Sequence, residues 1–235
     1  MIEKNIFQSW FTKDLHPKMQ EKINNLKKMN PQYNYHLYDD NDIDKFVNEH
    51  FSGEIAKQYN RLNIIVAKVD FWRYLVLYKY GGVYLDMDSS IEKPLDDLIK
   101  ENDKAIITAE GNPNLYVQWA LIFSKEHPIL KRTIDLICEN LKHNIYKNDI
   151  HKMTGPTVFT KAINEIHKAQ FYSIIDHKKI TKSTDVTYNK SNISYRLYGI
   201  DYSGHFRFKH ELNHLLYKKN QLHWTQEQKI KPLLI

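Results

Sequence analysis

Asp86 and Asp88, in the run Val83-Tyr84-Leu85-Asp86-Met87-Asp88, are the residues whose type and spacing best suit chemistry. Read as a strand over 83–88, the run puts residues two apart on one face, so both carboxylates share a side with Tyr84 while Leu85 and Met87 enter the opposite layer. Paired hard oxygen donors suit Mg²⁺ or Mn²⁺, with the remaining coordination positions taken by water and substrate phosphates. An ion held there can stabilise the negative charge that develops on a departing diphosphate when a sugar–phosphate bond breaks. Asp88 is the better direct ligand; Asp86 is open to binding the metal, a bound water or a ribose. A D-x-D alone is a weak signal, because 28 acidic residues produce it readily.

Its surroundings strengthen it. Asp70 and Arg73, three apart on a preceding helical pattern, share a face, and a carboxylate beside a guanidinium is the polar complement of a hexose and its phosphate. The bland alternative is an exposed i,i+3 ion pair. Tyr84 either lines the site or packs as strand tyrosines usually do. Trp10, at the end of the first strand candidate, either stacks on a base or anchors the core.

The elements that must position these residues alternate between strand and helix. Asn5–Trp10 reads as a strand, the pattern after Pro17 through Met29 as a helix, Tyr33–Tyr38 as a strand and Ile43–His50 as a helix capped by the Asp39-Asp40-Asn41-Asp42 cluster. A long helix over Leu62–Tyr80 stops at Gly81, a C-cap glycine. Ala105–Ala109 and Leu115–Ser124 are strand or short-helix candidates, followed by helices over Ile129–Leu141 and Thr157–His167. Phe171–Ile175 and Ser194–Tyr198 are further strand candidates. The pattern predicts an α/β sandwich around a largely parallel sheet, in one domain over 1–235.

Composition excludes several classes. The chain has 235 residues, 42% of them hydrophobic and 13% aromatic, which is ample for a core and argues against disorder. The net charge of +6 is spread along the length, so no nucleic-acid partner is expected. Cys138 is the single cysteine and reads as buried filler, so no intrachain disulfide forms. MIEKNIFQSW lacks the apolar core of a signal peptide, and no run approaches the roughly 20 residues of a membrane span, so a cytoplasmic or otherwise soluble protein, or a soluble fragment whose anchor was removed, is expected.

The ordered motifs D-x-x-R-Y (70–74), G-G-V-Y (81–84) and L-D-x-D (85–88) resemble the signature of glycosyltransferases with a DXD-containing sugar-binding region. That family includes the initiating α-1,6-mannosyltransferases, α-1,4-galactosyltransferases and capsule enzymes, and the glucosylating bacterial toxins carry a similar arrangement. Ile6–Trp10, Asn30–Asp40 and Thr154-Gly155-Pro156 are similar to its other conserved stretches. The resemblance implies an A-type glycosyltransferase fold with a Rossmann-like central sheet flanked by helices. It also implies retaining hexosyl transfer from a nucleotide-diphosphate sugar, UDP- or GDP-linked, to a glycan, lipid-linked or protein acceptor, with Mn²⁺ or Mg²⁺ as cofactor. Asp70, Arg73, Asp86 and Asp88 become the catalytic candidates, and Trp10 and Tyr84 join them in substrate binding. Two departures stand out: Phe7 occupies a position where many relatives have His, and the closing H…G-S-W element is reduced to Leu222-His223-Trp224-Thr225. There His223 is the candidate third metal ligand, and Trp224 the candidate cover of the diphosphate or sugar.

Two rival readings stay open. His210-Glu211-Leu212-Asn213-His214 satisfies the H-E-x-x-H pattern of a zinc protease, which would leave the 70–88 constellation without a role. A non-catalytic sugar-nucleotide or glycan-binding protein would keep the fold and lose turnover.

Overall fold

The computed structural model describes residues 1–112, 114–208 and 223–235. Two short strands open it, β1 (Asn5–Ser9) and β2 (Asn34–Tyr38), on either side of helix α1 (Pro17–Met29). Helix α2 (Asp40–His50) starts where the aspartate cluster predicts, with Asp39 and Asp42 forming a reciprocal capping box. Helix α3 (Gly53–Asn60), too short to show a clear period, precedes α4 (Ile65–Tyr80).

In α4 every residue from Asp70 to Leu77 is buried. A helix apolar on all sides belongs inside the molecule, and α4 is the central helix beneath the sheet. It ends at Gly81, whose φ of +64° and whose contact with the Lys125 backbone leave no room for a side chain. Strand β3 (Gly82–Leu85) follows at once, then β4 (Ser89–Ile91), β5 (Ala105–Ala109) and β6 (Ala120–Phe123). Helices α5 (Pro128–His143), α6 (Ile150–Met153) and α7 (Pro156–Phe171) come next. The chain closes with β7 (Asp185–Lys190), β8 (Ile193–Ile200), β9 (Phe206–Phe208) and α8 (Trp224–Ile230).

Seven strands form one sheet in the order β2-β1-β3-β6-β5-β8-β7, and β4 pairs with β9 beside it. Pairing directions make five of the seven run one way, with β6 and β7 reversed. The expected α/β sandwich with a Rossmann-like sheet flanked by helices is what forms. Side-chain alternation divides the core into two layers: Phe7, Tyr84 and Leu121 face α4, α5 and α7, while Ile6, Val83 and Ile122 face α1 and the 95–98 turn.

The structure corrects three element predictions. The strand predicted over 83–88 stops at Leu85, because the Ser89 amide donates to the Asp86 carbonyl and closes a turn over Asp86–Ser89. The strand candidate 171–175 is instead the end of α7 and the loop after it, with Tyr172 in a left-handed C-cap. The helix predicted from Leu62 begins at Ile65, since Leu62 is bridged to Leu234 and Asn63 donates to the Leu233 carbonyl. Cys138 is buried and free as expected, its thiol pushed up to about 12 by burial. Among the described residues, no helix is long and apolar enough to cross a membrane.

Candidate active site

The polypeptide brings five of the sequence's site candidates to the carboxyl end of β3. Asp70 and Arg73 lie one turn apart on α4, with Arg73 Nη2 3.1 Å from Asp70 Oδ1. This is no exposed helix pair, for each side chain is only 7% accessible. The same Nη2 lies 3.3 Å from Asp86 Oδ1, so one guanidinium ties the central helix to the D-x-D turn. Tyr84 stands below this junction, its ring 4.6 Å from the Arg73 guanidinium carbon and its hydroxyl donating to Asp86 Oδ1 at 2.5 Å. The shared face of Tyr84 and Asp86 survives the end of the strand because the Asp86 amide still donates to the Trp119 carbonyl, extending the β3–β6 ladder by one residue. Asp88 lies two residues further along the turn and is half-buried.

Two further residues support this junction, and one of them escapes sequence reasoning. Gln118 donates to Asp70 Oδ1 at 3.1 Å while its carbonyl accepts from Arg73 Nη1 at 3.2 Å. The Thr154 hydroxyl donates to Asp70 Oδ2 at 3.1 Å. The T-G-P element does flag Thr154, but nothing in the local pattern singles out Gln118, which lies 48 positions from its partner. On the other side of the turn, the Gln8 carboxamide donates to the Asp86 carbonyl, and Tyr35 donates to Gln8 Oε1.

The electrostatics follow from one buried cation among two carboxylates. Burial raises Asp70, and the like charge of Asp86 adds to it; Arg73, Thr154 and Gln118 pull the other way, leaving the carboxyl at about 6. Burial opposes the charge of Arg73, but Asp86, Tyr84 and Asp70 together raise its pKa, so it stays protonated. Arg73 Nε is buried and has no hydrogen-bond partner among the described residues.

The remaining candidates are placed differently. Trp10 sits just past β1, its amide donating to the Tyr38 carbonyl and its ring packed with Phe11, Met19, Ile23 and Met87, hence beside the D-x-D turn on the Met87 side. His223 is the exposed N-cap of α8, accepting from the Thr225 amide, and Trp224 packs against the larger core. Among the described residues, no group of three or more His, Cys, Asp or Glu is placed to hold a metal, so His223 is not gathered with Asp86 and Asp88. Two half-buried carboxylates in one turn still fit a hard divalent ion that draws its other ligands from water and phosphate. The H-E-x-x-H residues His210, Glu211 and His214 lie outside the described residues.

A helix-buried D-x-x-R is thus joined by salt bridge to a D-x-D at the carboxyl end of a Rossmann-like strand. Residues 16–105 match the glycosyltransferase sugar-binding region containing DXD motif, and the chain carries that family's signature. It is 27% identical to an initiation-specific α-1,6-mannosyltransferase of Candida albicans over 76% of this chain and 60% of the relative. It is 28% identical to inositol phosphoceramide mannosyltransferase 1 of Schizosaccharomyces pombe over 68% of this chain and 48% of that relative. The chain thus spans less than two thirds of the length of either. Its fold is that of the PaToxG glycosyltransferase, with a TM-score of 0.55, 21% identity and 70% of each chain covered.

Proposed function

We propose that the chain is a glycosyltransferase that moves a hexose, with retention, from a nucleotide-diphosphate sugar to an acceptor hydroxyl in the presence of a divalent ion. The observation that carries this reading is the Asp70–Arg73–Asp86 bridge, which fixes a cation and a carboxylate at the strand end within a matching sugar-binding region. Asp86 and Asp88 would hold Mn²⁺ or Mg²⁺; His223, which is not gathered with them here, would become the third protein ligand when the C-terminal segment folds over the donor. The bound ion supplies Lewis-acid stabilisation to the leaving diphosphate.

The chain's own residues do the positioning. Gln118 and Thr154 hold Asp70, Asp70 and Tyr84 orient Arg73 and Asp86, and Arg73 keeps positive charge where the phosphate and the sugar hydroxyls meet. Because Asp70 and Arg73 are nearly sealed, their direct contact with a donor is confined to a small surface, and much of their effect passes through Asp86. Trp10 offers an aromatic face to the base, and Trp224 is the proposed cover over the donor.

The names of the relatives make mannose the first sugar to try. Screening UDP- and GDP-linked hexoses with Mn²⁺ for release of free nucleotide, with chelator and Asp88→Ala as controls, tests the reading. Metal-dependent release from one donor is expected. Binding of a donor without turnover under any metal would favour a non-catalytic sugar-nucleotide-binding protein.

A further inference from the structure

Asp70 is steadied from behind by a turn that cannot hold itself. Thr154, whose hydroxyl donates to Asp70 Oδ2, closes α6, a helix of four residues from Ile150 to Met153. One turn makes too few internal bonds to persist alone, and its first amides have no partner inside the helix. Its supports come from elsewhere. Asp149 accepts from the Lys152 amide, and the Asn140 carboxamide reaches from α5 to donate to the Met153 carbonyl at 3.3 Å. The Ile150 amide donates to Gln228 Oε1 at 3.2 Å, and Gln228 lies on α8, 78 positions away.

Ile150 joins the two sides. Its amide is fixed by Gln228, while its carbonyl accepts from the Thr154 amide at 2.9 Å and from the Gly155 amide at 3.1 Å. A continuous path therefore runs from Gln228 through Ile150 and Thr154 to Asp70 and Arg73. The packing leaves it little slack: Ile150, Met153 and Thr154 are buried, and a Cβ on Gly155 would come within 3.0 Å of the His151 backbone. The carboxyl end of α8 is itself pinned. The Gln228 carbonyl accepts from the Asn148 carboxamide, Asn148 Oδ1 accepts from the Leu233 amide, and the buried Leu233 accepts at its carbonyl from the Asn63 amide.

We propose that Gln228 is a positioning residue for Asp70 and Arg73, so that α8, the helix that carries Trp224, sets their geometry through Ile150 and Thr154. This inference rests on the transferase reading above. On it, the segment that covers the donor also steadies the residues beneath the donor: seating α8 fixes Arg73, and drawing α8 away loosens it.

The test follows hydrogen exchange of the Arg73 Nε–H by ¹⁵N NMR in the full chain, with the Arg196 Nε–H as internal reference. Gln228→Met keeps the length of the side chain and removes the acceptor. It should speed exchange at Arg73 about tenfold, the effect of one lost hydrogen bond, and leave Arg196 within about twofold. Gln228→Glu, which keeps an acceptor oxygen, should restore the wild-type rate. In a Thr154→Val background, where the path is already cut, Gln228→Met should add less than about twofold. With the donor selected by the screen, Gln228→Met should lower kcat about tenfold while nucleoside diphosphate with Mn²⁺ binds as in the wild type. Equal acceleration at both arginines would reduce Gln228 to a contributor to general stability and overturn the proposal. So would wild-type exchange at Arg73 in Gln228→Met, failure of Gln228→Glu to restore it, a full additional effect in the Thr154→Val background, or an unchanged kcat. Absence of turnover in every protein, with Arg73 alone responding, would sink the transferase reading and leave the path from Gln228 to Arg73 standing.

Discussion

Two buried arginines divide the sheet between them. Arg196, in β8 opposite Ile106 near the start of β5, is held on every side: Nε and Nη2 donate to Asp103, Nη2 also to the Leu98 carbonyl, and Nη1 to Asp185. Arg73, at the carboxyl end of β3, is shared between Asp70 and Asp86 and keeps Nε unpartnered among the described residues. A buried ion pair with all its hydrogen bonds made is a fixture, and its loss is felt by the fold. A buried cation shared between two carboxylates, with one donor left unpartnered, is the kind of perturbed cluster that marks a candidate functional site. It lies at the carboxyl end of a strand, where the transfer reading proposed above would put the donor.

The comparison breaks most visibly at Asp88. Asp88→Ala should lower transfer on the order of 10²–10³-fold, with an unfolding midpoint close to wild type, because it removes charge stabilisation from a half-exposed turn. Full turnover in metal-stripped buffer would defeat the assignment. The arginines themselves come next. Arg196→Met should cost about 3–5 kcal/mol by leaving Asp103 buried and unpaired, with transfer by the remaining folded protein nearly intact. Arg73→Met should suppress transfer far more than its denaturation midpoint explains. Denaturant curves and kinetics on the same preparations decide whether the two effects separate.

Much of this was legible in the sequence. The D-x-x-R and D-x-D spacings, the Gly81 cap and the aspartate-capped α2 are local patterns, governed by helix and turn geometry within a few residues. The long helix ending at Gly81 is legible as a helix, but its burial on every side from Asp70 to Leu77 is not, because single-face periodicity cannot express it. Gln118 was invisible because its role depends on a tertiary approach between the segment before β6 and α4. The sequence pattern carries the strand three residues too far because Met87 continues the apolar alternation, while the turn is set by a backbone bond between Ser89 and Asp86. β7 was missed because an edge strand with one half-buried residue carries no apolar alternation.

A smaller effect sharpens the metal question. His223 caps α8, so His223→Ala confounds loss of the cap with loss of an imidazole. His223→Asn keeps a good cap and removes the ligand. On the proposed role it should raise the Mn²⁺ concentration needed for half-maximal transfer by at least about tenfold, with stability unchanged. An unaltered Mn²⁺ requirement would confine His223 to capping.

The smallest expected effect is the most specific to the Arg73 end. Thr154 donates to Asp70 Oδ2, and that bond lowers a carboxyl that burial has raised to about 6. A hydrogen bond to a charged acceptor contributes about 1.5–3 kcal/mol, so Thr154→Val should raise Asp70 by about one pKa unit or somewhat more. If ionised Asp70 is what holds Arg73 in place, the acidic limb of the transfer profile, expected near pH 6, should move up by the same amount, with rates at pH 8 within about twofold of wild type. Stability supplies an independent readout. Asp70 is higher in the folded chain than its ordinary value of 3.8, so its contribution is fully present below pH 3.8 and is lost as pH rises through about 6. Raising it further extends that loss upward, so Thr154→Val should be destabilised more at pH 8 than at pH 4.5. A variant equally destabilised at both pH values, with an unmoved acidic limb, would show that Thr154 merely packs beside Asp70 and that the carboxylate is oriented by Gln118 and Arg73 alone.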